Sequence, residues 1–145
     1  METTTTKLSK VLKSGKDIET ILQENESVIT TPTLQEHLEK LLSSKAIKRQ
    51  DVIKNAELDS NYINQLFNGI KTKPGRNQTL SLAFGFGLSK DETDRLLKVA
   101  GVGALYPKNK RDAVIIHSLE NGRSVVETNE ILASLGLGIL SEHLK

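Results

Sequence analysis

The chain has 145 residues, 37% of them apolar, with 20 Lys and Arg against 18 Asp and Glu for a formal net charge of +2. That length suits one core-forming domain plus a tail, and the lack of cysteine excludes disulfides, thiolate zinc sites and cysteine nucleophiles. No run approaches the roughly 20 apolar residues of a membrane span, aromatics at 3% are too sparse for single-strand base stacking, and near-neutral charge makes any nucleic-acid reading depend on where the cations sit.

Residues 1–7, with threonine at positions 3 to 6, read as a polar tail. They lack the apolar stretch of a signal peptide, so the expectation is a cytoplasmic protein without a membrane anchor. A short helix follows, with Ile18, Ile21 and Leu22 on one side. Residues 27–32 are β-branched and end on Pro32, which reads as a linker. After it, Thr33 is a good helix cap and Glu36 completes a capping box. Leu34, Leu38, Leu41 and Leu42 then recur at helical spacing. A second short helix is expected over residues 49–56, burying Val52, Ile53 and Ala56. A third starts at Asp59 or Ser60, with Ile63, Leu66, Phe67 and Ile70 on one face, and Asn68-Gly69 ends it.

Residues 71–76 read as a loop around Pro74-Gly75, and residues 78–86 as a fourth helix. Ser89 and Glu92 form another capping box, opening a fifth helix that Gly101 closes. Leu105-Tyr106-Pro107 reads as a connector. A sixth helix carries Ala113, Val114, Ile116 and Leu119 and stops at Asn121-Gly122. Ser124 and Glu127 make a third capping box, opening a helix through Ile131, Leu132 and Leu135 to Gly136. No segment alternates apolar with polar residues, so the expected class is all-α.

The third helix carries the functional signal. Asn61, Asn64, Gln65 and Asn68 fall at i, i+3, i+4 and i+7, opposite its apolar stripe. Amides are indifferent helix formers, and they pair bidentately with adenine edges in the major groove. Lys48 and Arg49 open the preceding helix, and Lys71, Lys73 and Arg76 follow the third. These are the places that face phosphates when two such helices dock on a duplex. A plain polar surface with ordinary lysines explains the same residues.

From Ile47 to Gly87 the sequence resembles the Cro/C1-type (XRE) helix-turn-helix family. Leu66-Phe67-Asn68-Gly69-Ile70 resembles the end of that family's recognition helix, and Gly69, Lys71, Lys73 and Pro74 follow its pattern. Leu96-Leu97-Lys98, Leu105-Tyr106-Pro107, Arg111-Asp112-Ala113 and residues 126–130 (Val-Glu-Thr-Asn-Glu) resemble a Firmicute-type subgroup with a helical C-terminal extension. The resemblance implies a five-helix lambda-repressor-like domain over residues 32–103 and a helical hairpin over 104–145, packed on it or used for dimerisation. The tail and short helix occupy residues 1–31. It implies a double-stranded DNA-binding transcriptional regulator, a repressor-like homodimer, without enzymatic activity, cofactor or metal. Ser60, Asn61, Asn64 and Gln65 would read bases. Lys48, Arg49, Gln50, Asn68, Lys71, Lys73 and Arg76 would meet the backbone. Tyr62 would pack on sugar-phosphate or against the second helix. The chain departs from the family in four ways, one being a recognition helix without lysine or arginine, which leaves no evident guanine contact. Ile53 replaces a small residue at a helix crossing. Lys48 replaces a hydroxyl cap. Glu57 replaces the turn glycine, where a left-handed conformation would cost a side-chain-bearing residue roughly 1 kcal/mol.

Other constellations carry less. His37, His117 and His143 have no ligand partner at helical spacing, and His37 reads as part of a solvated face with Glu36 and Glu39. Gly85-Phe86-Gly87 and Gly101-Val102-Gly103 follow no strand and read as helix ends. Thr3 to Thr6 with Thr30-Thr31 are candidate phosphorylation sites. They support a rival reading, a protein-interaction adaptor with a partner such as a kinase.

Overall fold

The computed structural model describes Lys10, Leu12, Lys13, Gly15, residues 17–24 and residues 32–141. The candidate phosphorylation threonines, His143 and nearly all of the expected linker lie outside the described residues. The chain divides into two compact units, Met1–Thr31 and Pro32–Lys145. In the first, α1 (Ile18–Glu24) buries Ile21 and leaves Ile18 exposed.

The second unit holds α2 (Leu34–Lys45), α3 (Arg49–Ala56), α4 (Ser60–Phe67), α5 (Arg76–Phe86), α6 (Lys90–Val99), α7 (Lys110–Glu120) and α8 (Val125–Ser134). Every bounded element among the described residues is a helix, and none is long and apolar enough to cross a membrane. All three expected capping boxes form. Thr33 and Glu36, Ser89 and Glu92, and Ser124 and Glu127 each exchange reciprocal hydrogen bonds of 2.9–3.2 Å, opening α2, α6 and α8. Asp59 caps α4 and Asn109 caps α7 through their side-chain oxygens.

α5 is the central helix. Its residues from Thr79 to Phe86 are all buried, and it packs against α2, α3, α6 and α8. α5 begins two residues earlier than expected. Gly75 precedes it with an extended backbone, and the Gly75 N–H donates to Gln78 Oε1 at 2.8 Å. Gly85 lies within this helix rather than ending it. A Cβ there would sit 2.8 Å from Val52 O and 2.9 Å from Ala56 Cβ. The small residues at the α3–α5 crossing are thus Gly85 and Ala56, and Ile53 is only partly buried beside them.

Two expected apolar faces are redrawn. Ile70 is 71% exposed, because α4 ends at Phe67 and Gly69 turns the chain at φ 76° before Ile70 can share its stripe. On α7 the buried set is Asp112, Ile115, Ser118 and Leu119, with Ala113 exposed and Val114 and Ile116 half-buried. α7 turns its polar Asp112 and Ser118 inward because both have partners there. Asp112 binds Arg76, and Ser118 Oγ accepts from Arg123.

Glu57 closes α3 in the left-handed region, φ 56° and ψ 36°. Its carboxylate makes no hydrogen bond or ion pair among the described residues to offset the strain. Glu57→Gly is therefore expected to raise stability by about 0.5–1 kcal/mol, read as a higher urea midpoint at unchanged slope. An unchanged or lower midpoint would show that the turn tolerates glutamate without strain.

Acid acts on this fold in one direction. The capping amide and hydroxyl of Thr33 hold the Glu36 carboxyl below its ordinary value, and those of Ser124 do the same for Glu127. For Glu92 the Lys45 ammonium is the larger cause and the Ser89 amide the next. A depressed carboxyl stabilises the fold above its unfolded value and loses that contribution as pH falls. His37 is also depressed, first by burial and then by Lys40 and Arg95. The unfolded chain takes a proton near the ordinary value of 6.5 that the folded chain resists, so His37 costs stability below that pH. The urea midpoint should fall below about pH 6.5 and again below about 4.5. His37→Gln should flatten the first limb alone, and an unchanged first limb would acquit His37.

Candidate nucleic-acid interface

α3 and α4 are joined by residues 57–59, a short turn that starts on the left-handed Glu57 and ends on the Asp59 cap. The Tyr62 N–H donates to Asp59 Oδ2 at 3.1 Å. Between them Leu58 is buried and anchors the turn to the core. α4 then buries Ile63, Leu66 and Phe67, with Phe67 against the Phe86 ring at 6.2 Å between centroids. The end of α4 is a Schellman arrangement. The Ile70 N–H donates to Gln65 O at 2.9 Å and the Gly69 N–H to Leu66 O at 3.3 Å.

This burial leaves Ser60, Asn61 and Asn68 exposed and Asn64 and Gln65 half-buried on the opposite side. The five polar residues expected along this helix thus share one accessible face. Ser60, Asn61 and Gln65 make no side-chain hydrogen bond among the described residues. Their donors and acceptors are available to a ligand.

Arg49 changes the electrostatics of that face. Its Nη1 donates to Asn68 Oδ1 at 3.2 Å and, more weakly, to Asn64 Oδ1 at 3.4 Å. Its Nη2 lies 3.4 Å from Glu39 Oε1, and its guanidinium stacks 4.7 Å from the Phe67 ring centroid. The α4 sequence contains no cation, yet the amide face has one, lent by the start of α3. Linear reading placed Arg49 at the flank. The contact spans 15 to 19 residues and follows no helical repeat, so only the folded chain brings the groups together.

Lys48 and Gln50 are exposed at the same end of α3, and Lys48 gives the helix no side-chain cap. Lys73 is exposed in the loop after α4, and Lys71 stands 5.2 Å over the Tyr62 ring. The Tyr62 hydroxyl donates to Gln78 Oε1 at 2.6 Å, which ties α4 to the start of α5, and burial raises its pKa. The polar end of Tyr62 therefore points to α5.

Arg76 sits apart from this group. Its Nη1 and Nη2 donate to Asp112 Oδ1 and Oδ2 at 3.1 and 2.8 Å. Its Nε and Nη2 also donate to the carbonyls of Gly103 and Ala104 at 2.9 and 3.1 Å. The guanidinium is committed to the chain's own C-terminal part, a bidentate pairing that sequence spacing across 36 residues does not reveal. Of the expected backbone-facing cations, Arg49 and Lys71 contact α4, and Lys48 and Lys73 are exposed in the flanking segments. Among the described residues no cluster of histidine and carboxylates suits a metal ion. Comparison with family models, with curated proteins and with solved structures finds no match for this chain.

Proposed function

We propose that residues 32–103 form a lambda-repressor-like helix-turn-helix domain and that the chain is a sequence-specific double-stranded DNA-binding transcriptional regulator. The observation that carries this reading is the α4 face, where the unpartnered amides of Asn61 and Gln65 accompany Asn64 and Asn68, which Arg49 engages, with Lys48, Lys71 and Lys73 exposed in the flanking segments. In this reading Ser60, Asn61, Asn64 and Gln65 meet base edges, and the four cations with Gln50 and Asn68 fix register on phosphates. Binding involves no chemistry. A homodimer would set two such faces on successive major grooves. The groove between α7 and α8, lined by Ala113, Val114, Ile131 and Leu135, is the candidate contact.

The test is selection from a random duplex library with the full chain, followed by mobility shifts across a salt series. Four cations per protomer predict a slope of log K against log salt of about −3 to −4 per half-site. Asn64→Ala with Gln65→Ala should reduce discrimination between selected and random duplex by about tenfold or more while the helical content stays constant. No enrichment would reject the reading. In that case the exposed apolar Leu135 in the same groove, with exposed Val126 at the start of α8, favours the adaptor reading, to be tested by pull-down of a stable protein partner.

A further inference from the structure

α2 and α6 lie side by side over a cleft of about 250 Å³ on the second unit. α2 lines it with His37, Lys40, Leu41 and Ser44, which share one face at i, i+3, i+4 and i+7. α6 lines it with Glu92 and Arg95, one turn apart. The geometry points to a binding site in this cleft for a phosphate group, free or carried on a small monoester.

Three observations carry it. First, His37 Nε2 is the buried side-chain polar atom without a hydrogen-bond partner among the described residues. Native chains rarely leave such an atom unmatched unless a ligand or water completes it. Second, Lys40 and Arg95 make no ion pair or hydrogen bond among the described residues. The one carboxylate in the lining, Glu92, is already held by Lys45 Nζ at 2.7 Å and by the Ser89 amide at 3.0 Å. The lining therefore carries two uncommitted cations, Lys40 and Arg95, against one anion that Lys45 already pairs. Third, Lys40 and His37 line the cleft from α2 and Arg95 lines it from α6. A tetrahedral oxyanion offers acceptors in several directions, whereas a carboxylate offers two oxygens in one plane. The volume lies below the roughly 300–1,000 Å³ of drug-sized sites, which selects a small anion over a nucleotide. Burial, Lys40 and Arg95 together hold His37 below its ordinary pKa, as expected of an imidazole placed among cations.

The site does not depend on the DNA reading, and its test uses no DNA. The isotopically labelled full chain is titrated with sodium phosphate at neutral pH and followed by NMR, with sodium chloride and sodium acetate at matched ionic strength as separate arms. Saturable shifts at the His37 ring and at Lys40, Ser44 and Arg95 are expected with phosphate alone. Lys40→Gln and Arg95→Gln should each weaken binding by about tenfold or more. Both side chains are exposed, so the fold should persist, with circular dichroism as the check. Arg95→Lys should retain most of the affinity. Tighter binding of glycerol 3-phosphate than of inorganic phosphate would identify the monoester as the occupant. Shifts equalled by chloride or acetate, or variants that bind as the wild type does, would overturn the proposal.

Discussion

Asp112→Ala is expected to cost about 2–3 kcal/mol. The carboxylate is 7% exposed, and it accepts from both Arg76 Nη atoms and from the Tyr106 N–H at 2.9 Å. Removing it leaves a partly buried guanidinium and a backbone donor without their acceptor. The cost stays below the 3–5 kcal/mol of a fully buried pair because Arg76 is 30% exposed and water reaches it. Arg76 is also the first residue of α5, directly after the loop that carries Lys71 and Lys73. Loss of the clasp should therefore loosen that loop and, on the proposed DNA reading, lower affinity without changing base preference. Urea denaturation and amide exchange over residues 103–106 read the structural part. Asp112→Asn should keep the Tyr106 bond and lose less. An Asp112→Ala protein as stable as the wild type would show that the Arg76 pairing is a surface ornament.

Gly85→Leu is expected to be more damaging, at about 3 kcal/mol or more. Two opposing effects meet at this position. Helix propensity alone would favour any side chain over glycine by up to about 1 kcal/mol. Against that, the first added carbon already falls 2.8 Å from Val52 O, a backbone atom that cannot rotate away. Even alanine must separate α3 from α5, an overpacking strain of roughly 1–3 kcal/mol. A leucine adds volume to a crossing that has none to spare. Because α3 is covalently joined to α4 by three residues, the displacement would also tilt the amide face. The combination expected is a lowered urea midpoint and, on the proposed DNA reading, a loss of binding larger than the unfolded fraction explains. Gly85→Ala at wild-type stability would contradict the close crossing.

The sequence made helix beginnings legible and helix partners much less so. Thr33, Ser89 and Ser124 announce α2, α6 and α8 because a cap and its N3 glutamate act within four residues. The stripe of Ile63, Leu66 and Phe67 was equally plain, since a helix of this length turns one face to the core. Ile70 was misassigned by extending that stripe past a turn whose left-handed glycine breaks the repeat. Ile115 does not stand out in the sequence because α7 buries Asp112 and Ser118 on the same face, which blurs its apolar pattern. The acidic neighbours of His37 suggest a solvated face, whereas the folded chain half-buries it beside Glu92 and Arg95 of α6. The clasp of Arg76 and the contribution of Arg49 were hidden for the same reason. A side chain's long-range partner leaves no mark in its local spacing.

The caps are unevenly shared, and this bears on how the molecule comes apart. Five helices of the second unit open on a side-chain oxygen, but α3 opens on Lys48 and α5 on Gly75, which have none to offer. These two uncapped helices are also the pair that meet most closely, at Gly85. Each lacks a start signal of its own and is held by the other's surface. Their amides should exchange with solvent as one cooperative unit, at the opening free energy of the whole domain. The α8 end, closed by local bonds, should open by itself at a lower one. The helix that presents the amides is thereby hinged to the part of the domain that unfolds last.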